Sequence, residues 1–513
     1  MSRSSRLSSS RRLFLGAALL PLPALLLQGI PPVRAATADG SHGPDAPSRH
    51  ESARAPLPGA AVTHHTLALP GRSLAFTATA ESFRLADDTG TPQADIAVLS
   101  YTLDGADPAA RPVAFVFNGG PGASSAWLQL GALGPWRLDL SRPPAPSNPA
   151  TPIPNPETWL DFTDLVFIDP PGTGYSRLAT NSEALRRKFY SVDGDITALA
   201  EVVRRWTLAH GRAAAPHLLV GESYGGFRAP RLARALQTDV GLGVKGLLLV
   251  SPVLDFGAYS QGTDPMALVA RLPSEAAVAA EAAGRAPDLA AAEAYARGDF
   301  LADLLRGPRD TAAVERLVAH LASLTGLDPE LLRRHAGRLD LATFRRARAP
   351  GVTASLYDAT LGDPVAFPYA AWSEQPDAVL DALRAPLTAA MLELYRRFAW
   401  QPDGTNGGRY EVLSDAVWRA WGWGHRMSPP SAMPALRTAL ALDPALRVTI
   451  LHGRSDLVTP YFGTKLLLEQ LPAIGDMDRL RLEVVPGGHM LYLRDASRQA
   501  LHAAGAHLLE PPA

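Results

Sequence analysis

Short runs of consecutive apolar residues recur along the chain. They are PVAFVF at Pro112–Phe117, DLVFID at Asp164–Asp169, HLLVGE at His217–Glu222, GLLLVS at Gly246–Ser251 and RVTILHG at Arg447–Gly453. Runs this short and this apolar predict strands covered on both faces. Between them the pattern turns helical: Ile196, Leu199, Val203 and Trp206 fall near a 3.6-residue period. Upstream, alternation in HTLAL, LAFTATA and ADIAVLSYTL, between Val62 and Tyr101, predicts antiparallel strands that open a sheet. Strand and helix in alternation predict an α/β fold, a mostly parallel central sheet flanked by helices.

The alternation stops after Leu254. From Pro265 to Ala349 the pattern is helical; Val314, Leu317, Val318, Leu321 and Leu324 trace one face, Gly326 supplies its stop, and Asp328-Pro329 opens another helix. Strand-like pattern returns only at Arg447. The chain therefore divides into a core segment at 59–254, a mainly helical insertion at 255–445 and a second core segment at 446–513. Trp400, Trp418, Trp421 and Trp423 fall in the insertion, where packing against the core is the expected role.

The N-terminus reads as a targeting signal. Arg3, Arg6, Arg11 and Arg12 precede an apolar stretch from Leu13 to Leu27, and small-residue cleavage sites follow at Val33-Arg34-Ala35 and Ala36-Thr37-Ala38. SRRLFL at Ser10–Leu15 resembles a twin-arginine export motif. Residues 1–38 are thus expected to be a signal and 39–58, rich in Pro, Ser, Ala, Gly and His, a loose linker. The mature protein is expected outside the cytoplasm, periplasmic or extracellular, with no membrane span. A formal net charge of -1 argues against a nucleic-acid-binding face. The absence of cysteine excludes disulfides, thiolate metal sites and a cysteine nucleophile. His64 and His65 are adjacent on a strand and point to opposite faces, so they do not form a metal site. No metal and no cofactor are expected.

Candidate chemistry centres on Gly221-Glu222-Ser223-Tyr224-Gly225. It matches the tight strand-to-helix turn that lifts a serine hydroxyl out of a sheet, with small residues on either side to make room. A serine nucleophile needs a base, and the base a partner that fixes its tautomer. Asp456 follows the strand in VTILHGRSD, and His489 follows the next in LRLEVVPGGHM, so the order is serine, acid, histidine. His452 lies too close to the strand carrying Asp456, and His217 lies at the wrong end of the serine's strand, so both are expected to be structural. Asn118-Gly119-Gly120-Pro121-Gly122, after another buried strand, is a turn able to present N–H groups to a developing oxyanion.

Taken together, NGGPGASS, NPETWLDFTDLVFIDPPGTGYS, GESYGG, ILHGRSD and VPGGHM resemble the serine carboxypeptidase family, of the cathepsin A and carboxypeptidase Y type. The resemblance runs from Asn118 to Met490. It implies an α/β-hydrolase fold whose insertion is a largely helical lid. It further implies Ser223 as nucleophile, His489 as general base and acid, Asp456 as orienter, and the N–H groups of Gly120 and Tyr224 as oxyanion hole. Asn118 and Glu222 would bind the C-terminal carboxylate of a peptide substrate. A carboxyl group facing a carboxylate can share a proton only while one is protonated, which implies activity favouring acidic pH. The chain departs from the family pattern at Ala132, where a second carboxylate-binding glutamate would fall, and at Ala123, where a cysteine is often found. Three readings follow: a serine carboxypeptidase; an esterase, amidase or acyltransferase using the same residues; or a binding protein on a hydrolase scaffold.

Overall fold

The computed structural model describes residues 53–139, 143–258, 264–366, 368, 376–402, 409–424 and 428–510. The segment expected to be an export signal and most of the expected linker lie outside the described residues.

The long strands at the front form an antiparallel ladder: β1 (Ala61–Leu69), β2 (Arg72–Ala86) and β3 (Pro92–Leu103). The buried apolar runs become β4 (Val113–Phe117), β5 (Asp164–Ile168), β6 (His217–Glu222), β7 (Gly246–Val250) and β8 (Arg447–Gly453), joined by β9 (Leu480–Val485). Their order across the sheet is β1-β2-β3-β5-β4-β6-β7-β8-β9, with a two-residue strand at Arg177–Leu178 also paired to β3. Pairing is parallel from β5 through β9 and antiparallel before it. This is an α/β-hydrolase fold, as expected.

Both faces of β4 through β8 are buried, which explains their apolar sequence, whereas the edge strand β9 is only partly covered. In β4, Ala114 and Val116 join one core, with Leu165, Val220 and Leu248. Val113, Phe115 and Phe117 point the other way, into a core with Val166, Leu219 and Leu249. The second core is covered by α1 (Val192–Ala209) and α2 (Tyr224–Ala235). Ser191 caps α1 by accepting from the Gly194 N–H, and Asp193 and Asp195 occupy its positive first turn.

Between β7 and β8 lie mostly helices, including α3 (Pro265–Ala282), α4 (Thr311–Thr325) and α5 (Leu380–Arg397). Asp264 caps α3 and Asp310 caps α4, which stops at Gly326 in the left-handed conformation. Strand structure does return before Arg447: Val352–Ala354 pairs with Gly362–Pro364. Strands of three residues, the second ending on Pro364, carry no readable alternation, which is why the pattern missed them. α6 (Asp495–His507) closes the described chain. Among the described residues no helix is long and apolar enough to cross a membrane.

One buried ion pair ties α1 to α2. Arg228 Nε donates to Asp195 Oδ2 at 2.7 Å, with both side chains buried. Burial raises the Asp195 carboxyl above its ordinary range, against the pull of Arg228. Asp195→Ala leaves the guanidinium buried without an acid, so chemical unfolding is expected to show a loss of about 3–5 kcal/mol. The double variant Asp195→Leu/Arg228→Met is expected to lose clearly less, because no buried charge is left unpaired.

Candidate active site

The parallel register brings the carboxyl ends of β4, β6, β8 and β9 to one edge of the sheet, where the candidate residues collect. Ser223 follows β6 directly. Its backbone sits at φ 59° and ψ -121°, a left-handed setting that L-residues rarely adopt. Its N–H donates to the Val250 carbonyl at 2.9 Å, and its own carbonyl accepts from Val253 at 3.2 Å. Neighbouring glycines make the turn possible. A Cβ at Gly221 would lie 2.1 Å from the Gly225 carbonyl oxygen, and one at Gly226 would lie 2.3 Å from Pro252 Cβ. Among the described residues the Ser223 hydroxyl has no hydrogen-bond partner.

Asp456 and His489 are joined. Nδ1 of His489 lies 2.8 Å from Asp456 Oδ2, and both residues are buried. Asp456 Oδ1 accepts from the N–H groups of Val458 at 2.7 Å and Thr459 at 3.0 Å, which fixes the carboxylate plane. The Thr459 hydroxyl donates to Oδ2 at 2.7 Å and lies 3.2 Å from His489 Nδ1. Burial pushes the Asp456 carboxyl up, but the His489 charge and hydrogen bond with the Thr459 N–H outweigh it and hold it below the ordinary value. Burial likewise pushes His489 down, and Asp456, helped by the charge of Glu222, turns the net shift upward. The carboxylate at Nδ1 favours the tautomer that carries its proton there, so that a neutral imidazole keeps its lone pair on Nε2.

The histidine loop is held from both sides. The His489 N–H donates to the Tyr357 carbonyl at 2.5 Å, and its carbonyl accepts from Ser251 Oγ at 2.8 Å. The Tyr357 ring meets the imidazole edge-on at 5.4 Å. Gly488 leaves the space this needs, since a Cβ there would lie 1.8 Å from the Tyr357 oxygen. Behind the loops, Glu281 at the end of α3 accepts from Arg454 at 3.0 Å and from Arg494 at 2.6 Å. Asp358 accepts from Ser455 Oγ at 2.7 Å and from Arg494 at 3.2 Å.

The Asn118–Gly122 turn lies against the elbow. A Cβ at Gly119 would come within 2.5 Å of the Tyr224 nitrogen. Gly120 and Gly122 take φ 95° and 110°. Among the described residues the Gly120 and Tyr224 N–H groups donate to no other group. The turn is braced from outside: Ser414 N–H donates to the Gly122 carbonyl at 2.7 Å, and Ser124 N–H to Val412 at 3.0 Å.

Glu222 is fully buried beside the serine. Asn118 Nδ2 donates to its Oε2 at 2.5 Å, and Tyr492 Oη donates to Oε2 at 2.9 Å and Oε1 at 3.2 Å. Burial pushes its carboxyl up to about 7, although His489, Tyr492 and Asn118 all favour the charged form. Such a group carries a proton under mildly acidic conditions, where an ordinary glutamate does not.

The structure thus brings all seven sequence candidates to one edge. Ala132 is buried in the short helix Gln129–Leu133, and its carbonyl accepts from Asn155. His452 is buried, with Nε2 2.9 Å from Thr464 Oγ1, and burial pulls it down to about 4. His217 is held by the Gly243 and Arg212 carbonyls. Among the described residues no cluster of metal-ligating side chains occurs. The tryptophans divide: Trp400 packs on Tyr175 and Tyr395, whereas Trp421 and Trp423 meet the Tyr224 ring at 5.4 and 5.8 Å. Sequence reasoning missed Tyr492, Thr459, Ser251 and Tyr357. Thr459, three residues after Asp456, was within reach as a local turn partner; the others meet the site only through tertiary contacts.

A serine carboxypeptidase family model matches residues 101–281. Pheromone-processing carboxypeptidase kex1 of Talaromyces marneffei is 32% identical over 121 residues, covering 23% of this chain and 17% of that protein. KEX1 of Coccidioides posadasii is 30% identical over 184 residues, covering 31% of this chain and 27% of that protein. The chain thus spans between 17% and 27% of the length of these relatives. Among solved structures, proline iminopeptidase from Mycobacterium smegmatis aligns with 83% of this chain and 99% of its own, at 16% identity and a TM-score of 0.36.

Glu222 couples folding to pH. The native state keeps a proton there up to about pH 7, whereas an unfolded glutamate releases it near 4.5. Between those values the native state binds more protons, so its stability falls as pH rises, by at most about 3 kcal/mol. Unfolding midpoints from pH 5 to 8 are expected to fall more steeply for the wild type than for Glu222→Gln; parallel slopes would contradict the buried-acid assignment.

Proposed function

We propose, from the match of residues 101–281 to a serine carboxypeptidase family model, that the protein hydrolyses C-terminal peptide bonds. The observation that carries this reading is Glu222, a buried carboxyl adjoining Ser223, hydrogen-bonded to Asn118 and inclined to keep its proton. Next to a nucleophile, a proton-bearing acid paired with an amide donor suits the free carboxylate of a peptide.

In this reading Ser223 Oγ attacks the carbonyl of the last peptide bond while His489 Nε2 takes the hydroxyl proton. The tetrahedral oxyanion is met by the Gly120 and Tyr224 N–H groups. His489 then gives the proton to the leaving nitrogen, the C–N bond breaks, and the terminal amino acid departs. Water, deprotonated by His489, opens the acyl-enzyme, and Ser223 recovers its proton. Asp456 holds the imidazole through Nδ1. A neutral Glu222 also removes one of the charges that raise His489. Protonation of Glu222 therefore helps the histidine to stay an effective base, which supports turnover at mildly acidic pH.

A second reading, an esterase, amidase or acyltransferase, draws support from Ala132, which offers no second acid for a carboxylate. We further read 255–445 as a cover over the core, and the protein as exported through the signal at 1–38.

Hydrolysis of an N-blocked dipeptide, compared with its C-terminal amide from about pH 4 to 8, tests the main reading. The free acid is expected to be preferred, most strongly at acidic pH. A fluorophosphonate is expected to label Ser223, and Ser223→Ala to lower kcat/KM by at least about 10⁴-fold. Labelling of Ser223 without cleavage of the free acid would favour the second reading.

A further inference from the structure

We propose that Tyr492 is a positioning residue for substrate-carboxylate recognition, its phenol holding the Glu222 side chain in place and setting how readily it gives up its proton. This rests on the carboxypeptidase reading and names a residue to which nothing in the sequence pattern pointed.

The geometry is specific. Tyr492 Oη reaches both oxygens of Glu222, at 2.9 and 3.2 Å. The tyrosine sits on the single turn Leu491–Leu493, three residues after His489, so one loop carries both the histidine and the group that pins Glu222 beside Ser223. Its own position is fixed. The residue is 1% exposed, its carbonyl accepts from Arg498 at 3.1 Å, and its ring lies on Gly131, where a Cβ would fall 2.3 Å from Cε2. The phenol thus lies against the stretch where the family resemblance places a second acid and this chain has Ala132.

The chemistry differs from that of two acids. Burial and the neighbouring Glu222 keep the phenol protonated far above the working range, so it always donates. A donor to a carboxylate favours its charged form, so Tyr492 opposes the burial that makes Glu222 retain its proton. The other groups that bear on Glu222 are Asn118 from the turn after β4, His489 from the loop after β9 and Asp456 from the loop after β8. Tyr357 senses the Glu222 charge in turn, and Arg228 of α2 donates to the Asn118 carbonyl. Within this set one carboxyl, rather than an acid pair, exchanges its proton with the substrate carboxylate.

The test is the pH profile of Tyr492→Phe on an N-blocked free-acid dipeptide, with a simple ester as control. The alkaline limb for the free acid is expected to move up by about one pH unit, the effect of losing one hydrogen bond to a charged group. KM for the free acid should rise several-fold, and KM for the ester, which has no carboxylate to place, should stay as it is. A 3-fluorotyrosine at 492, a stronger donor of nearly the same shape, should move the limb the other way. In a Glu222→Gln background, Tyr492→Phe should change free-acid selectivity no further. Independently of turnover, the infrared carbonyl band of protonated Glu222, identified by its loss in Glu222→Gln, should titrate at higher pH in Tyr492→Phe. An unmoved limb and band, or an equal loss on acid and ester, would overturn the proposal. A wild-type enzyme that cleaves the ester but not the free acid would instead overturn the carboxypeptidase reading, and this proposal with it.

Discussion

The structure around the site depends on one steric constraint: Ser223 must hold a left-handed backbone at φ 59° between a buried strand and a buried helix. A residue in that setting costs of the order of 1–3 kcal/mol and persists only where its surroundings over-determine it. Here they do. Gly221 lets the elbow fold onto itself, Gly225 lets it meet the Phe117 carbonyl, Gly226 lets it meet Pro252, and Gly119 lets the neighbouring turn touch the Tyr224 nitrogen. Loss of any of these clearances would drive backbone against backbone. The hydroxyl is consequently presented at the sheet edge by packing alone, before any electrostatic effect acts.

The electrostatics are built on the same edge. Asp456, His489 and Glu222 are all buried, and burial is the largest influence on each. Their differing outcomes come from partners. Asp456 has two N–H donors, a hydroxyl and an imidazole, so it stays charged. Glu222 has an amide and a phenol, which do not offset its burial. Two carboxyl groups beside one histidine are thus shifted in opposite directions, Asp456 below its ordinary value and Glu222 above it.

Much of this was legible in the chain. The buried strands announced themselves as unbroken apolar runs, because both faces of β4 through β8 are covered. The helix start at Asp328 and the stop at Gly326 were local signals and were read directly. The serine, aspartate and histidine lay at strand ends in a recognisable order. What could not be read was lateral. Tyr492 is 270 residues from Glu222 in sequence, and its phenol reaches the acid only because β6 and β9 end on the same edge. Tyr357 supports His489 from an irregular turn beside three-residue strands too short to show a period. The tryptophans divided by position rather than by type, since Trp400 fills the core while Trp421 and Trp423 flank Tyr224.

Glu281 has a consequence for how this scaffold can be altered. Its two oxygens receive Arg454, two residues before Asp456, and Arg494, five residues after His489. The end of α3 therefore serves as a common footing for the two loops, beside the bridge that Asp358 makes between Ser455 and Arg494. Exchanging the stretch between β7 and β8 for that of a relative is not a modular operation. A graft without an acid at 281 strips both arginines of their shared counter-charge, and the spacing between the histidine and its aspartate partner then rests on the short hydrogen bonds of the loops alone.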